Sequence, residues 1–181
     1  MSSFDAAAGT VFWITGLAGA GKTTIGALLA GRLTRAGPKL VFLDGDGLRE
    51  MLGNTFGHGP EERLRLARCY ARLCGMLSEQ GIHVVCATVS MFHEVREWNR
   101  GHLRSYREIY IRAPMAVLIR RDPKRLYSDA AGGSAKQVVG VDLPSEEPRT
   151  PDVVLDNDGS RTPEDIVDEL LEKLGMAKGA G

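Results

Sequence analysis

The sequence predicts an α/β fold, a three-layer sandwich with a mainly parallel sheet and a mobile lid. Three observations carry this. Short apolar, β-branched runs alternate with longer stretches of helical period, and such alternation builds right-handed βαβ units around a sheet covered on both faces. A glycine-rich stretch, residues 16–23, lies where the first strand gives way to the first helix. The alternation then fails between about residues 122 and 150, in a polar stretch that holds Gly, Pro, Lys124, Arg125 and Lys136. An irregular segment that long inside a compact domain is usually functional or disordered, and it is read as a lid. The expectation is one domain, 1–181, with a flexible tail at about 175–181.

The elements follow in order. Thr10-Val-Phe-Trp-Ile-Thr15 reads as a buried strand ending at Gly16. Lys22 to Ala36 reads as a helix with Ile25, Leu28, Leu29 and Leu33 on one face, stopped by Gly37-Pro38. Lys39 to Leu43 is a second strand, closed by Asp44-Gly45-Asp46. Pro60 to Gln80 is a long helix with Leu66, Tyr70, Leu73 and Leu77 at helical spacing, ended by Gly81. Ile82 to Val89 is the most apolar strand, a helix follows from about Glu94 to Arg104, and Ile109–Ile111 and Val153–Leu155 are strand cores. Thr162-Pro163-Glu164-Asp165 is a helix start, with Thr as cap, Pro in the first turn and acids at the positive end. That helix runs to about Leu174.

Composition excludes several function classes. Lys+Arg and Asp+Glu balance at 23 each, which argues against a general nucleic-acid binder while allowing a local basic pocket. No apolar run approaches the ~20 residues of a membrane span, and Met1–Thr10 carries no basic segment or long apolar stretch of the secretory kind. Cys69, Cys74 and Cys86 are odd in number and lack metal spacing, so they read as buried filler in a reducing, cytoplasmic compartment. His93 and His102 lack ligand spacing to another His or Cys. His83 reads as a satisfied strand residue, Trp13 as core, and Trp98 as core or surface packing. Arg65 and Arg72 read as a solvated helix face.

Residues Gly16-Leu17-Ala18-Gly19-Ala20-Gly21-Lys22-Thr23, with Thr24 following, fill the G-x-x-x-x-G-K-[ST] pattern in full between a strand and a helix. Glycines let backbone amides close around phosphate oxygens, and the helix start adds positive potential. Lys22 is expected to reach the β- and γ-phosphates of ATP, and the Thr23 hydroxyl to ligate Mg²⁺. This makes the fold a P-loop NTPase. A glycine turn with a chance lysine is the competing reading, and the flanking elements weigh against it. Asp44-Gly45-Asp46 lies at the carboxyl end of the second strand, where ligands bind in open α/β sheets. Two acids there suit a base for a hydroxyl and a partner for Mg²⁺ or substrate; the alternative is a plain polar turn.

These residues, with Arg49, Pro60-Glu-Glu-Arg63, Arg68, Ser90, Arg121-Asp-Pro-Lys-Arg-Leu-Tyr127, Gly140-Val-Asp142 and Pro151-Asp-Val-Val154, resemble the adenylyl-sulfate kinase family over roughly residues 10–156. The resemblance implies a homodimeric kinase that moves the γ-phosphoryl of ATP to the ribose 3′-hydroxyl of adenylyl sulfate or a close analogue. It implies that Asp44 acts as base or orienting group, with Lys22 and the lid residue Lys124 neutralising charge. It places Asp46, Arg49, His58, Arg63, Leu66, Ser90, Lys136 and Val138 on the acceptor nucleotide, and favours anion binding for Arg68 as well.

Departures from the family pattern cluster on that acceptor side. Leu66 stands where the family has Asn. His58 and Val138 stand where it has the two Phe rings that sandwich adenine. Ser90-Met91-Phe92-His93 replaces Ser-Pro-Tyr-Arg, and Arg125 replaces the Gly after the lid lysine. Stacking is worth about 1–3 kcal/mol per base, so losing both rings weakens adenine binding. The run Val85-Cys-Ala-Thr-Val-Ser-Met-Phe92 with Arg96-Glu-Trp98-Asn-Arg100 is similar to the cytidine diphosphoramidate kinase subgroup. The expectations are therefore a kinase of adenylyl sulfate or an analogue, alternatively of a cytidine diphosphoramidate-type nucleotide or other small metabolite. A non-catalytic nucleotide-binding regulatory module is the alternative of another class. Small nucleotides, and not nucleic acid or membrane, are the expected partners.

Overall fold

The computed structural model describes residues 8–35, 37, 39–57, 59–122, 125–133 and 137–176. Strands β1 (Val11–Thr15), β2 (Leu40–Asp44), β3 (His83–Ala87), β4 (Tyr106–Arg112) and β5 (Val153–Asp156) form one parallel sheet in the order β2-β3-β1-β4-β5. Side chains alternate across a strand, and β1 shows how this makes three layers. Phe12 and Ile14 pack with Ile25 and Leu29 of α1 (Lys22–Arg35) and with Ile166, Leu170 and Leu171 of α7 (Pro163–Lys173). Val11 and Trp13 face the other way, toward Leu66, Tyr70 and Cys74 of α3 (Pro60–Glu79) and Val95 of α4 (His93–His102). Trp13, Phe12 and Ile14 are fully buried, each worth about 1.5–3 kcal/mol of apolar burial. Trp13 is thus a core residue, while Trp98 is half-buried and stacks on His102.

Element ends follow their caps. Pro60 opens α3 with Glu61 and Glu62 in its first turn, and Gly81 follows its end at φ +76°. At α7, Thr162 Oγ1 accepts from the Asp165 N–H while the Asp165 carboxylate accepts from the Thr162 N–H, closing a capping box.

Four points of the sequence reading change. The alternative of a plain polar turn at Asp44-Gly45-Asp46 falls, and an unexpected helix stands there: Asp44 ends β2 and caps α2 (Gly45–Met51), its Oδ2 accepting the N–H groups of Asp46 (3.2 Å) and Gly47 (3.3 Å). Two glycines in seven residues weaken the helical signal, and the side-chain cap supplies what propensity lacks. Second, α5 (Met115–Arg121) was not expected, and the 122–150 stretch is not wholly irregular. It contains α6 (Leu126–Ala131), with the Asp122 carboxylate accepting the Tyr127 and Ser128 N–H groups. Third, Cys69 is exposed, whereas Cys74 and Cys86 are buried. The inward stripe of α3 runs through Leu66, Ala67, Tyr70, Ala71 and Cys74, and residue 69 falls on the opposite side of it. Fourth, Arg68 is an exposed partner of Glu94 on α4, and it is absent from the cavity described below. No helix among the described residues is long and apolar enough to cross a membrane.

Candidate active site

A cavity of about 840 Å³ opens beyond the carboxyl ends of the strands, the place where open α/β sheets bind ligands. The glycine-rich loop forms one wall. Gly16 stands at φ +151°, and a Cβ there would sit 2.4 Å from the Ile111 carbonyl oxygen of β4. Gly21 stands at φ +99°, and a Cβ there would meet Asn157 Nδ2 at 2.5 Å. Both conformation and space therefore demand glycine.

Carbonyls of this loop are tied from outside. Ala18 O accepts from the Tyr127 hydroxyl of α6 (2.8 Å), Gly19 O from Arg121 Nη1 at the end of α5 (3.0 Å), and Ala20 O from Asn157 Nδ2 just beyond β5 (2.7 Å). Arg121 Nη2 also donates to Asn157 Oδ1 (3.1 Å). Lys22, the first residue of α1, is buried and donates to Leu17 O (2.8 Å). Burial pulls its ammonium down to about 8, against the opposing pull of the Asp46 and Asp44 carboxylates.

Across the loop, Asp44 lines the cavity and does not point into the interior. Its Oδ1 accepts from the Thr23 hydroxyl (2.7 Å), while Oδ2 serves the α2 cap. A hydroxyl and a carboxylate side by side are the hard oxygen donors that Mg²⁺ takes, and Mg²⁺ commonly uses one or two such protein ligands together with phosphate oxygens. Thr23 and Asp44 fit that ion.

The rest of the cavity wall includes Asp46, Arg49, Arg63, Leu66, Ser90 and Val138. α2 carries Arg49, whose Nη1 donates to the Phe56 (2.9 Å) and Gly57 (3.1 Å) carbonyls. Arg63 reaches the Gln137 carbonyl (3.0 Å), and burial with the neighbouring Arg49 charge lowers its pKa. Two guanidinium groups thus face one region of the wall. Leu66 (4 % exposed) and Val138 (2 % exposed) present aliphatic surface there. Val138 is fixed by its own turn: its N–H and that of Gln137 donate to the Asp142 carboxylate, and its carbonyl accepts from Val141, Asp142 and Leu143. Tyr70, another lining residue, spends its hydroxyl on Gly45 O (3.0 Å).

Ser90 is buried with its hydroxyl unpartnered, while its carbonyl accepts from Thr15 Oγ1 (3.2 Å) and Arg96 Nη1 (3.3 Å). Arg96 is itself buried against Glu108 (3.2 Å) and donates to Glu146 O (2.7 Å). Burial pushes the Glu108 carboxyl up, and Arg100 and Arg96 hold it down.

The structure therefore brings Lys22, Thr23, Asp44, Asp46, Arg49, Arg63, Leu66, Ser90 and Val138 to one cavity. His58, Lys124 and Lys136 lie outside the described residues. Tyr70, Arg121 and Asn157, to which the sequence assigns no site role, also line it. Arg121 does stand in a run that carries the family resemblance, and Asn157 is the polar residue immediately after a strand on the ligand-binding edge.

A strand, a glycine-rich loop and a helix beginning Lys22-Thr23, set at the carboxyl edge of a parallel sheet, define a P-loop phosphotransferase. The sequence model of the adenylylsulphate kinase family matches residues 8–156, and the chain belongs to that family. Among its relatives, the cytidine diphosphoramidate kinase of Campylobacter jejuni is 40% identical over 166 residues, covering 92% of this chain and 96% of the relative. A probable adenylyl-sulfate kinase of Archaeoglobus fulgidus is also 40% identical, over 148 residues, with coverages of 82% and 96%. Equal identity leaves the acceptor to be argued from the site. The solved structure of the Mycobacterium tuberculosis APS kinase with AMPPNP and APS superposes with a TM-score of 0.85 at 28% identity, covering 93% of this chain and 98% of that one.

Proposed function

We propose that this ATP-dependent nucleotide kinase phosphorylates the ribose 3′-hydroxyl of a nucleotide of the cytidine diphosphoramidate type in preference to adenylyl sulfate. The observation that carries the acceptor reading is the aliphatic surface of Leu66 and Val138 on the cavity wall, at two of the positions where the resemblance expects acceptor-binding groups. Among the described lining residues only Tyr70 is aromatic, and its hydroxyl is already tied to Gly45, so these residues offer no pair of rings to clamp a purine. A smaller pyrimidine loses less from that absence. The neighbouring guanidinium groups of Arg49 and Arg63 suit the anionic tail that either acceptor carries.

In this reading the loop from Gly16 to Thr24 cradles the ATP phosphates, and Lys22 exchanges the Leu17 carbonyl for a phosphate oxygen. The ribose hydroxyl oxygen bonds to the γ-phosphorus as the bond from that phosphorus to the β,γ-bridging oxygen breaks, and ADP leaves. The hydroxyl proton passes to the Asp44 carboxylate. Bound between Thr23 and Asp44, Mg²⁺ would supply charge neutralisation at the phosphates. Lys124 adds a second cation from the lid, and Asp46, Arg49, His58, Arg63, Ser90 and Lys136 orient the acceptor. Such a transfer needs alignment and charge compensation more than covalent chemistry. The pairing of Thr23 with Asp44 on the cavity wall favours catalysis over a purely regulatory nucleotide site.

The test is an acceptor panel incubated with ATP and Mg²⁺, with products weighed by mass spectrometry. A cytidine 5′-diphosphoramidate-type nucleotide is expected to gain one phosphoryl group faster than adenylyl sulfate. Faster turnover of adenylyl sulfate overturns the acceptor reading and leaves the kinase standing.

A further inference from the structure

Three consecutive carbonyls of the glycine-rich loop are held by side chains from three separate elements. Tyr127 belongs to α6, Arg121 ends α5, and Asn157 follows β5. The loop is thus fastened by groups 102 to 137 residues away in sequence. None of them occupies a position that the loop motif specifies.

Peptide geometry gives these bonds a consequence. The described chain has no cis peptide, and in a planar trans peptide the N–H of one residue points opposite to the C=O of the residue before it. Fixing Ala18 O toward Tyr127 turns the Gly19 N–H the other way. Fixing Ala20 O toward Asn157 does the same for the Gly21 N–H. Gly19 and Gly21 both line the cavity. A loop rich in glycine has little intrinsic preference for one peptide orientation, so the tethers supply what the residue type does not. Tyr127 and Asn157 are buried, which holds their own donors in place. Gly21 also packs so close to Asn157 that the tether admits no Cβ.

We infer that Tyr127 and Asn157 are positioning residues for ATP: by holding the Ala18 and Ala20 carbonyls away from the cavity they aim the Gly19 and Gly21 amides at the β- and γ-phosphates. The inference rests on the reading of residues 16–23 as the phosphate cradle. It adds a coupling, because Tyr127 sits on a helix whose first-turn N–H groups donate to Asp122, within the stretch expected to act as lid.

Tyr127→Phe removes one oxygen and keeps the ring that packs in the core. In the full-length protein, calorimetric titration with Mg-ATP and with AMP separates positioning from general damage, since AMP lacks the β- and γ-phosphates. Loss of a single neutral hydrogen bond predicts Mg-ATP binding weakened about five- to tenfold, with AMP binding unchanged and the thermal midpoint lowered by only a few degrees. By NMR, the downfield shift of the Gly19 amide on adding Mg-ATP is expected to shrink in the variant. If Tyr127→Phe does not fold, Asn157→Ser read at the Gly21 amide takes its place. Unchanged Mg-ATP affinity and amide shift overturn the inference, as do equal losses for ATP and AMP. Lys22→Ala separates the two levels. If it abolishes Mg-ATP binding while Tyr127→Phe behaves as wild type, only the positioning role falls. If the wild type does not bind Mg-ATP, or Lys22→Ala binds it equally well, the cradle reading falls and takes the inference with it.

Discussion

Two parts of the cavity wall are built on different principles. In the phosphate loop, function is concentrated in eight contiguous residues, and the fold fastens them by tethering one carbonyl after another. The rest of the wall is assembled from α2, α3, the residues after β3 and the 137–143 turn, with Leu66 and Val138 giving shape and Arg49 and Arg63 giving charge. A contiguous motif preserves one chemistry, whereas a wall of separate contributors can change its ligand one side chain at a time. The chain keeps the loop motif in full and belongs to the family over residues 8–156, and on the proposed acceptor it is in the assembled part of the wall that such a change is expected.

That contrast can be broken or sharpened by measurement. The largest effect belongs to Asp44→Asn, expected to lower turnover by about 10²–10⁴, the worth of a positioned general base, while ATP affinity measured by calorimetry stays nearly intact. Unchanged turnover removes Asp44 from the chemistry. Lys22→Ala is expected to lower kcat by about 10²–10³, in the range of one electrostatic contact to a transition state. On the acceptor reading, His58→Phe is expected to raise the kcat/KM of adenylyl sulfate relative to a cytidine acceptor by about tenfold, the value of one stacking partner. An unchanged ratio shows that stacking at that position does not set the choice. Val138→Phe is a poorer probe, since overpacking a buried position costs about 1–3 kcal/mol of stability.

The smallest effect concerns pH. The Lys22 ammonium is pulled by burial from 10.5 to about 8 in the folded protein, so between those values the unfolded chain holds the extra proton. Stability of the ligand-free protein is therefore expected to rise as pH increases through that window, by the contribution of this residue. Mg-ATP affinity should fall over the same range as the lysine loses its charge. Denaturation and titration at pH 7.5 and 9.5 test both, and Lys22→Met should flatten both differences.

The same contrast governs what the sequence discloses. β1, the loop and α1 are adjacent in the chain, and their pattern is local, so the sequence reading places them to within a residue. The start of α7 is legible because Thr162 and Asp165 carry their own cap. α2 escaped notice because a carboxylate, and not an apolar period, starts it. α6 is six residues long, too short for periodicity to register, and depends on Asp122. The contacts of Tyr127 and Asn157 with the loop are not legible, because a single sequence carries no sign of which distant side chain meets which backbone carbonyl. Arg68 misled because it shares a helix with Arg63 while lying against Glu94 on α4.

Asp44 begins one helix and faces the phosphate cradle with the same carboxylate. Asparagine starts helices about as well as aspartate. On the proposed role of Asp44, a descendant that traded one for the other would keep its architecture, its melting behaviour and its grip on nucleotide while losing most of its turnover. Decay of this enzyme could thus pass unnoticed by any assay of folding, and only the fate of the transferred phosphorus would reveal it.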